Sequence, residues 1–305
     1  MDGPTPSCIP TPTPYNDTPS DDGLFRTIPP FKERPRQVME PCRTVLDNIA
    51  VVLHRPHFPE NIGAAARAAK NMGIRRLVVV DPLDCDLTRI LKMATHAAED
   101  VVAEMEVYDE LADALASFHY IIGTTARTGS NRPTVMDPRE MARKVVDISR
   151  NNRTAILFGP ENRGLANREL TFCHALVTIP TSKEFASLNL AQAVMIMTYE
   201  IFRAAEEPPA TFTPKLATSF ELEAMYTHLQ ETLAKIHFVN PENPQYWMRS
   251  LRRFFSRIGL QAREVKIIRG ICRQIDWYGD MRAAEAVRTA RGSGDNSFDS
   301  RRGVD

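Results

Sequence analysis

The stretch His57–Gly73, HFPENIGAAARAAKNMG, decides how this chain folds. Pro59 stands where a helix can start. Gly63, Ala64, Ala65, Ala66, Ala68 and Ala69 leave almost no side-chain bulk on any face, so something must approach that backbone closely. On such a helix Arg67 falls four residues after Gly63 and Asn61 lies in the first turn, so both project near the end that follows the preceding strand. Open α/β sheets hold their ligands at strand-to-helix junctions of this kind. An ordinary helix packed on a sheet, with alanine chosen for propensity and Arg67 solvated, would use the same letters. Two further stretches argue against so plain a reading.

Outward from this helix the pattern is of strands alternating with helices. TVLDNIAVVLH, from Thr44, reads as the preceding strand, and RRLVVVD, from Arg75 to Asp81, as a second whose continuous apolar run suits a parallel strand covered on both faces. After a variable Asp-rich segment come a short strand near Met105–Tyr108, a helix from about Glu110 to Ser117, and the strand HYIIGTTA, which ends in the polar turn TARTGSNRPT. Asp137 caps a helix that has Pro138 in its first position and runs to Ser149. TAILFGP from Thr154 and ALVTIP from Ala175 are strands, and Leu188 to about Ala204 is a helix apolar on nearly every face. This alternation predicts a parallel sheet flanked by helices.

The ends differ in kind. Residues 1–43 are rich in Pro, Thr, Ser and Asp, and bury too little apolar surface to offset the entropy of ordering. Residues 44–206 hold the α/β domain, 207–219 form a Pro-containing linker, 220–280 show helical periodicity, and 281–305 read as a flexible tail. Within the helical part, Phe220–His237, Pro244–Ile258 and Arg263–Trp277 are the three helices expected. No apolar run approaches the roughly 20 residues that cross a bilayer, and no export segment opens the chain, so a cytoplasmic protein without a membrane partner is expected. The five cysteines form no C-x-x-C pair and accompany no histidine cluster, which points to reduced thiols and no metal site.

Formal charge is zero over the 305 residues, but it is not evenly spread. From Arg249 to Arg273 eight basic side chains face Glu264 alone, a net +7 on 25 residues. On the helix Pro244–Ile258, Arg249, Arg252 or Arg253, and Arg257 recur at helical spacing while Leu251, Phe254, Phe255 and Ile258 form the opposite, packed side. A basic stripe of this kind, continued by Lys266 and Arg269, suits an RNA backbone, although a solvated face of a helical bundle would look the same.

The second decisive stretch is FGPENRGL, Phe158–Leu165, in which two glycines bracket a sharp turn carrying Glu161, Asn162 and Arg163. It lacks the Lys and Ser/Thr of a Walker loop, and no G-x-G-x-x-G follows any strand, so nucleotide triphosphates and dinucleotides are disfavoured. The third is IPTSKEFASLNLAQAVMIMTYEIF, Ile179–Phe202, with Ser187 and Asn189 at the mouth of the apolar helix. Ser187 there could be a helix cap and nothing more. A helix apolar all round must itself be covered, and a second subunit is a natural cover.

Together the three stretches resemble the SpoU-type branch of the trefoil-knot (SPOUT) RNA methyltransferases, whose signatures are N-x-G-x-x-x-R, F-G-x-E-x-x-G-L and I-P-x-x-x-x-x-x-S-L-N. All three are present, in order, between Thr44 and about Arg203. GTTARTGSNRPTVMDPRE and the C-terminal segment from HLQETLAK to CRQI are further similar to TrmJ-type tRNA 2′-O-methyltransferases. Periodicity alone would indicate an open doubly wound sheet, because threaded chains are rare. The resemblance instead implies a C-terminal trefoil knot in the sheet domain, with a small helical domain appended.

It also implies S-adenosyl-L-methionine as cofactor, touching Thr124, Thr125, Ala126, Gly159, Ile179, Ala186, Ser187 and Leu188. Arg67, Asn61, Glu161 and Asn189 would be the catalytic set, tRNA and a second copy of the chain the partners, and nucleotide 32 of the anticodon loop the target. No DNA partner is implied. Guanidinium stays protonated near neutrality, so Arg67 is expected to clamp a phosphate and stabilise developing alkoxide charge rather than act as a base. Asn61 and Asn189 would orient the ribose, and Glu161 would order the glycine turn or a dimer contact. The competing expectations are a ribosomal-RNA methyltransferase of the same superfamily, an RNA-binding module without catalysis, and, for want of the glycine fingerprint weakest, a nicotinamide-dependent oxidoreductase.

Overall fold

Aliphatic runs without polar alternation form the middle of the molecule. The computed structural model describes residues 43–126, 135–182, 184, 187–208, 211–239 and 243–294. In chain order the first half comprises α1 (Arg43–Leu46), β1 (Ile49–His54), α2 (Pro59–Asn71), β2 (Arg76–Val80), α3 (Leu87–Ala94), a 3-10 turn (His96–Ala98), α4 (Glu99–Ala103), β3 (Glu106–Tyr108), α5 (Leu111–Leu115) and β4 (Tyr120–Thr124). Then follow β5 (Val135–Met136), α6 (Pro138–Ser149), β6 (Thr154–Phe158), α7 (Asn167–Leu170), β7 (Ala175–Val177), α8 (Leu190–Ala205), α9 (Ser219–Lys235), α10 (Pro244–Ile258) and α11 (Ala262–Gly294).

The strands make one seven-stranded sheet, ordered β3-β2-β1-β6-β4-β7-β5, with every pairing parallel. Alternate residues of β1 feed opposite faces: Ile49, Val51 and Leu53 enter the core under α2, α6 and α8, while Ala50 and Val52 enter the core shared with α5. All six β1 residues are buried, as two-sided cover requires. A third cluster, built on Met225, Tyr226, Met248 and Val265, holds α9, α10 and α11 together. The parallel sheet and the helical appendix are thus those expected. Between β7 and α8, Lys183, Phe185 and Ala186 lie outside the described residues.

Several boundaries depart from the sequence expectation. Thr44 lies in α1 and the strand begins only at Ile49. The Asp-rich segment contains α3 and α4; Asp86 caps α3, its side chain accepting from the Arg89 amide at 2.9 Å, so residues that read as loop formers are helix starters. α8 starts at Leu190, two residues later than expected. α11 continues through Gly294, past Trp277 and into the segment expected to fray. The tail beyond Gly294, residues 1–42 and most of the TARTGSNRPT turn lie outside the described residues. Among the described residues no helix is long and apolar enough to cross a membrane.

The bare face of α2 is explained by a neighbouring helix rather than by a ligand. A Cβ on Gly63 would lie 2.0 Å from the Ile90 carbonyl oxygen, so α3 seats directly on the α2 backbone. Asp137 caps α6 as expected, its Oδ1 accepting from the amides of Arg139 and Glu140 at 2.9 and 3.0 Å. The second half of the expected linker is strapped down. Buried Asn152 accepts from the Leu216 amide at 2.8 Å and donates to the Pro214 carbonyl at 3.0 Å, and the Ser219 amide donates to the Phe118 carbonyl at 2.7 Å.

Two predictions follow from this packing. Gly63→Ala forces the α2 and α3 backbones apart and lowers stability by about 1–3 kcal/mol, read as a fall in urea midpoint. His174 stacks on Tyr120, and its Nδ1 accepts from the Ile121 amide at 3.1 Å. Burial lowers its pKa from 6.5 to about 4. Between those values the unfolded chain binds a proton that the native chain refuses, so stability is lost as pH falls from about 6.5 to about 4. His54 and His119, also lowered chiefly by burial, act in the same direction. His174→Asn keeps an acceptor but cannot titrate, and a urea midpoint measured across that window will fall less steeply for it.

Candidate active site

Strand order brings the three sequence stretches together. β6 lies between β1 and β4, and β7 lies beside β4, so the loops leaving the carboxyl ends of these strands open on one side of the sheet. There a cavity of about 320 Å³ is lined by Thr124 and Thr125 at the end of β4, Phe158, Gly159 and Glu161 at and beyond the end of β6, and Val177 and Ile179 from the end of β7 onward. Ser187, Leu188, Leu190 and Ala193 close it from the α8 side. Such a position outside the strand ends is where parallel sheets accommodate ligands.

The glycine turn is closed by its own backbone. A Cβ on Gly159 would sit 2.4 Å from the Gly164 carbon and the Leu165 nitrogen, and Gly164 itself adopts φ +64°. No other residue fits at 159 without opening the turn that carries Glu161.

Glu161 is the anchor of a directional hydrogen-bond chain. Its Oε2 accepts from the His57 backbone amide at 2.9 Å, and its Oε1 accepts from Asn61 Nδ2 at 2.7 Å. Asn61 Oδ1 then accepts from Asn189 Nδ2 at 2.9 Å, and Asn189 Oδ1 caps α8 by accepting from the Ala191 and Gln192 amides at 2.9 and 3.3 Å. Both ends determine the polarity of the whole chain. Backbone donors at α8 oblige Asn189 to present its amide nitrogen outward, and the carboxylate at the other end can only accept. Thus residues 100 and 128 positions apart hold each other in register.

Of the expected cofactor contacts, Thr124, Thr125, Ala126, Gly159, Ile179, Ser187 and Leu188 line this one cavity. Ala186 lies outside the described residues. Thr124 Oγ1 donates to the Leu157 carbonyl at 3.1 Å, and Thr178 Oγ1 donates to the Thr125 carbonyl at 2.8 Å, which ties the β4 end to its neighbours. Asn61 and Asn189 reach the cavity only through Glu161. Arg67 stands apart: it is exposed on α2, does not line the cavity, and makes no hydrogen bond or ion pair among the described residues. Sequence reasoning missed the Leu190 and Ala193 walls, because apolar residues on a helix read as packing; it also gave no role to Arg163, which lines the cavity within the glycine turn.

In the helical domain the six expected basic residues separate into two kinds. Arg249, Arg253, Arg257 and Lys266 are exposed. Arg252 is instead paired with Glu223, one guanidinium nitrogen lying 2.6 Å from the carboxylate, and its guanidinium stacks 4.3 Å above the Tyr226 ring. Arg269 is half-buried, with its Nε unpartnered.

The family model described as the SpoU rRNA methylase family matches residues 48–199, and that of the tRNA methyltransferase TrmJ C-terminal domain matches residues 220–291. The tRNA (cytidine/uridine/adenosine-2′-O-)-methyltransferase TrmJ of Pseudomonas aeruginosa is 39% identical over 240 residues, covering 74% of this chain and 93% of its own. The tRNA (cytidine/uridine-2′-O-)-methyltransferase TrmJ of Escherichia coli K12 is 35% identical over 248 residues, 79% of this chain and all of its own. A crystal structure of TrmJ from Z. mobilis ZM4 superposes with a TM-score of 0.65 at 31% identity, covering 74% of this chain and 98% of that one. The chain belongs to the SpoU methylase family and, by both of its parts, to the TrmJ branch within it.

Asn189→Ala removes a helix cap and the bond to Asn61, and is expected to cost about 1–2 kcal/mol in denaturant unfolding. Ser187→Ala removes no cap and should cost under about 0.5 kcal/mol.

Proposed function

We propose that this chain methylates the 2′-hydroxyl of a ribose in tRNA with S-adenosyl-L-methionine as donor, at nucleotide 32 of the anticodon loop. The observation that carries this reading is the Glu161–Asn61–Asn189 chain anchored at the wall of one cavity, in a protein that is 39% and 35% identical to tRNA 2′-O-methyltransferases over 240 and 248 residues. The cavity suits the donor: its volume of about 320 Å³, apolar walls at Val177, Ile179, Leu188 and Leu190, and hydroxyls at Thr124, Thr125 and Ser187 are the mixture an adenosine needs. When bound there, the donor supplies an electrophilic sulfonium methyl group.

The chain's own residues supply positioning. Holding a sugar hydroxyl in line contributes on the order of 7–11 kcal/mol, more than a general base at about 10²- to 10⁴-fold. Gly159 and Glu161 shape the pocket floor, and Asn61 and Asn189 fix the edge where the ribose enters. Arg67, exposed on α2 and away from its own cavity, serves the cavity of a second copy, where its fork grips the phosphate next to the reacting hydroxyl and stabilises the developing alkoxide. The working form is therefore a homodimer, in the cytoplasm.

Incubation with labelled S-adenosylmethionine and total RNA, followed by mapping, will place the label on a 2′-oxygen of tRNA nucleotide 32. Label in ribosomal RNA alone, or none, overturns the reading. Arg67→Ala is expected to lower methyl transfer about 10²- to 10³-fold with donor affinity nearly unchanged. Arg67→Lys will recover little of that, because lysine lacks the fork. Mixing Arg67→Ala with Gly159→Ala protein restores activity only if the site is shared between copies.

A further inference from the structure

The sequence leads one to expect Phe254 and Ile258 on the packed side of α10. In the structure they are exposed, at 58% and 53%. Of the described apolar side chains of that helix, Met248, Leu251 and Phe255 turn inward, into the cluster that contains Tyr226 and Val265. Two stripes therefore lie side by side on the outer face of α10. Tyr246, Arg249, Arg253 and Arg257 recur at intervals of three and four residues, and Trp247, Phe254 and Ile258 at seven and four, about 100° around the helix.

The aromatic rings are exposed but held. Tyr246 and Trp247 are 64% and 42% exposed and meet edge to face at 6.1 Å, while Phe238, itself 54% exposed, supports Trp247 at 5.5 Å. Phe254 abuts Phe255 at 5.2 Å, and Phe255 is anchored on Tyr226. Rings fixed by other rings, with flanks open to water and a row of guanidiniums alongside, are what single-stranded nucleic acid requires: bases stack on the rings while cations follow the backbone. At its foot the stripe runs on toward the sheet domain, where Arg253 and Arg257 share a cavity of about 530 Å³ with Lys144 of α6.

We infer that the outer face of α10 is a stacking platform for unpaired bases of the RNA substrate, with Tyr246, Trp247 and Phe254 as the rings and Arg249, Arg253 and Arg257 as the backbone contacts. This rests on the reading of the chain as a tRNA-modifying enzyme, but it is tested without methyl transfer. Trp247 and Trp277 are the two tryptophans of the chain, so full-length Trp277→Phe protein reports on Trp247 alone.

An RNA hairpin with an unpaired loop is expected to quench Trp247 fluorescence, whereas a blunt duplex of the same stem is not. Tyr246→Ala and Phe254→Ala should each weaken hairpin binding by about fivefold or more and leave duplex binding unchanged, with Tyr246→Phe restoring it. Emission that the hairpin leaves unaltered, or an equal loss of hairpin and duplex affinity, overturns the platform. Variants that convert a dimer to monomers in sedimentation, with hairpin affinity intact, would show the face to be a contact between copies instead. If the hairpin quenches Trp247 but tRNA is not methylated, the platform stands and the catalytic reading fails.

Discussion

The carboxylate of Glu161 is the pivot of this structure. It accepts the His57 amide and the Asn61 side chain at once, and Asn61 passes the constraint to the cap of α8. A charged acceptor that is partly withdrawn from water forms bonds roughly twice as strong as neutral ones, and losing any partner would leave a polar group stranded. Three loops with no covalent proximity are thereby held to the tolerance of a hydrogen bond. The cavity is the space they leave, and its shape follows from that constraint rather than from the walls themselves.

The sheet makes such convergence possible. Because β6 is inserted between β1 and β4, residues some hundred positions apart leave the sheet as neighbours, all at the carboxyl ends of parallel strands. Glycine is used where backbones must touch: Gly63 lets α3 rest on α2, and Gly159 lets its own turn close. The helical appendix is anchored by buried Asn152 and by the Ser219 amide, so α10 is carried by packed structure rather than by a free tether.

Exposure divides the basic residues more finely than charge does. Arg252 lies in the same run as Arg249 and Arg253, yet it holds α10 to α9 through Glu223 and Tyr226. Its exposed neighbours Arg249 and Arg253 lie on the same helix as Tyr246, Trp247 and Phe254, which remain 64%, 42% and 58% exposed. One helix thus supports its own bundle with one face and presents a mixed cationic and aromatic surface with the other.

Much of this was legible in the letters. Apolar runs announced a parallel sheet, Asp137 and Pro138 announced the start of α6, and the second and third short stretches held Gly159, Glu161, Ile179, Ser187 and Leu188, which line the cavity. These are local signals, in which burial on both faces, a cap or a tight turn selects the residue directly. What the letters left open was partnership. Whether Gly63 faces a ligand or a helix, whether Asn189 or Ser187 caps α8, and whether Phe254 packs or faces water depend on which element arrives at each position in space. Sequence spacing determines the face of a helix on which a side chain lies. Only the tertiary structure decides what, if anything, stands opposite it, because that depends on strand order and on which elements pack together, as α3 does on α2 where Ile90 meets Gly63.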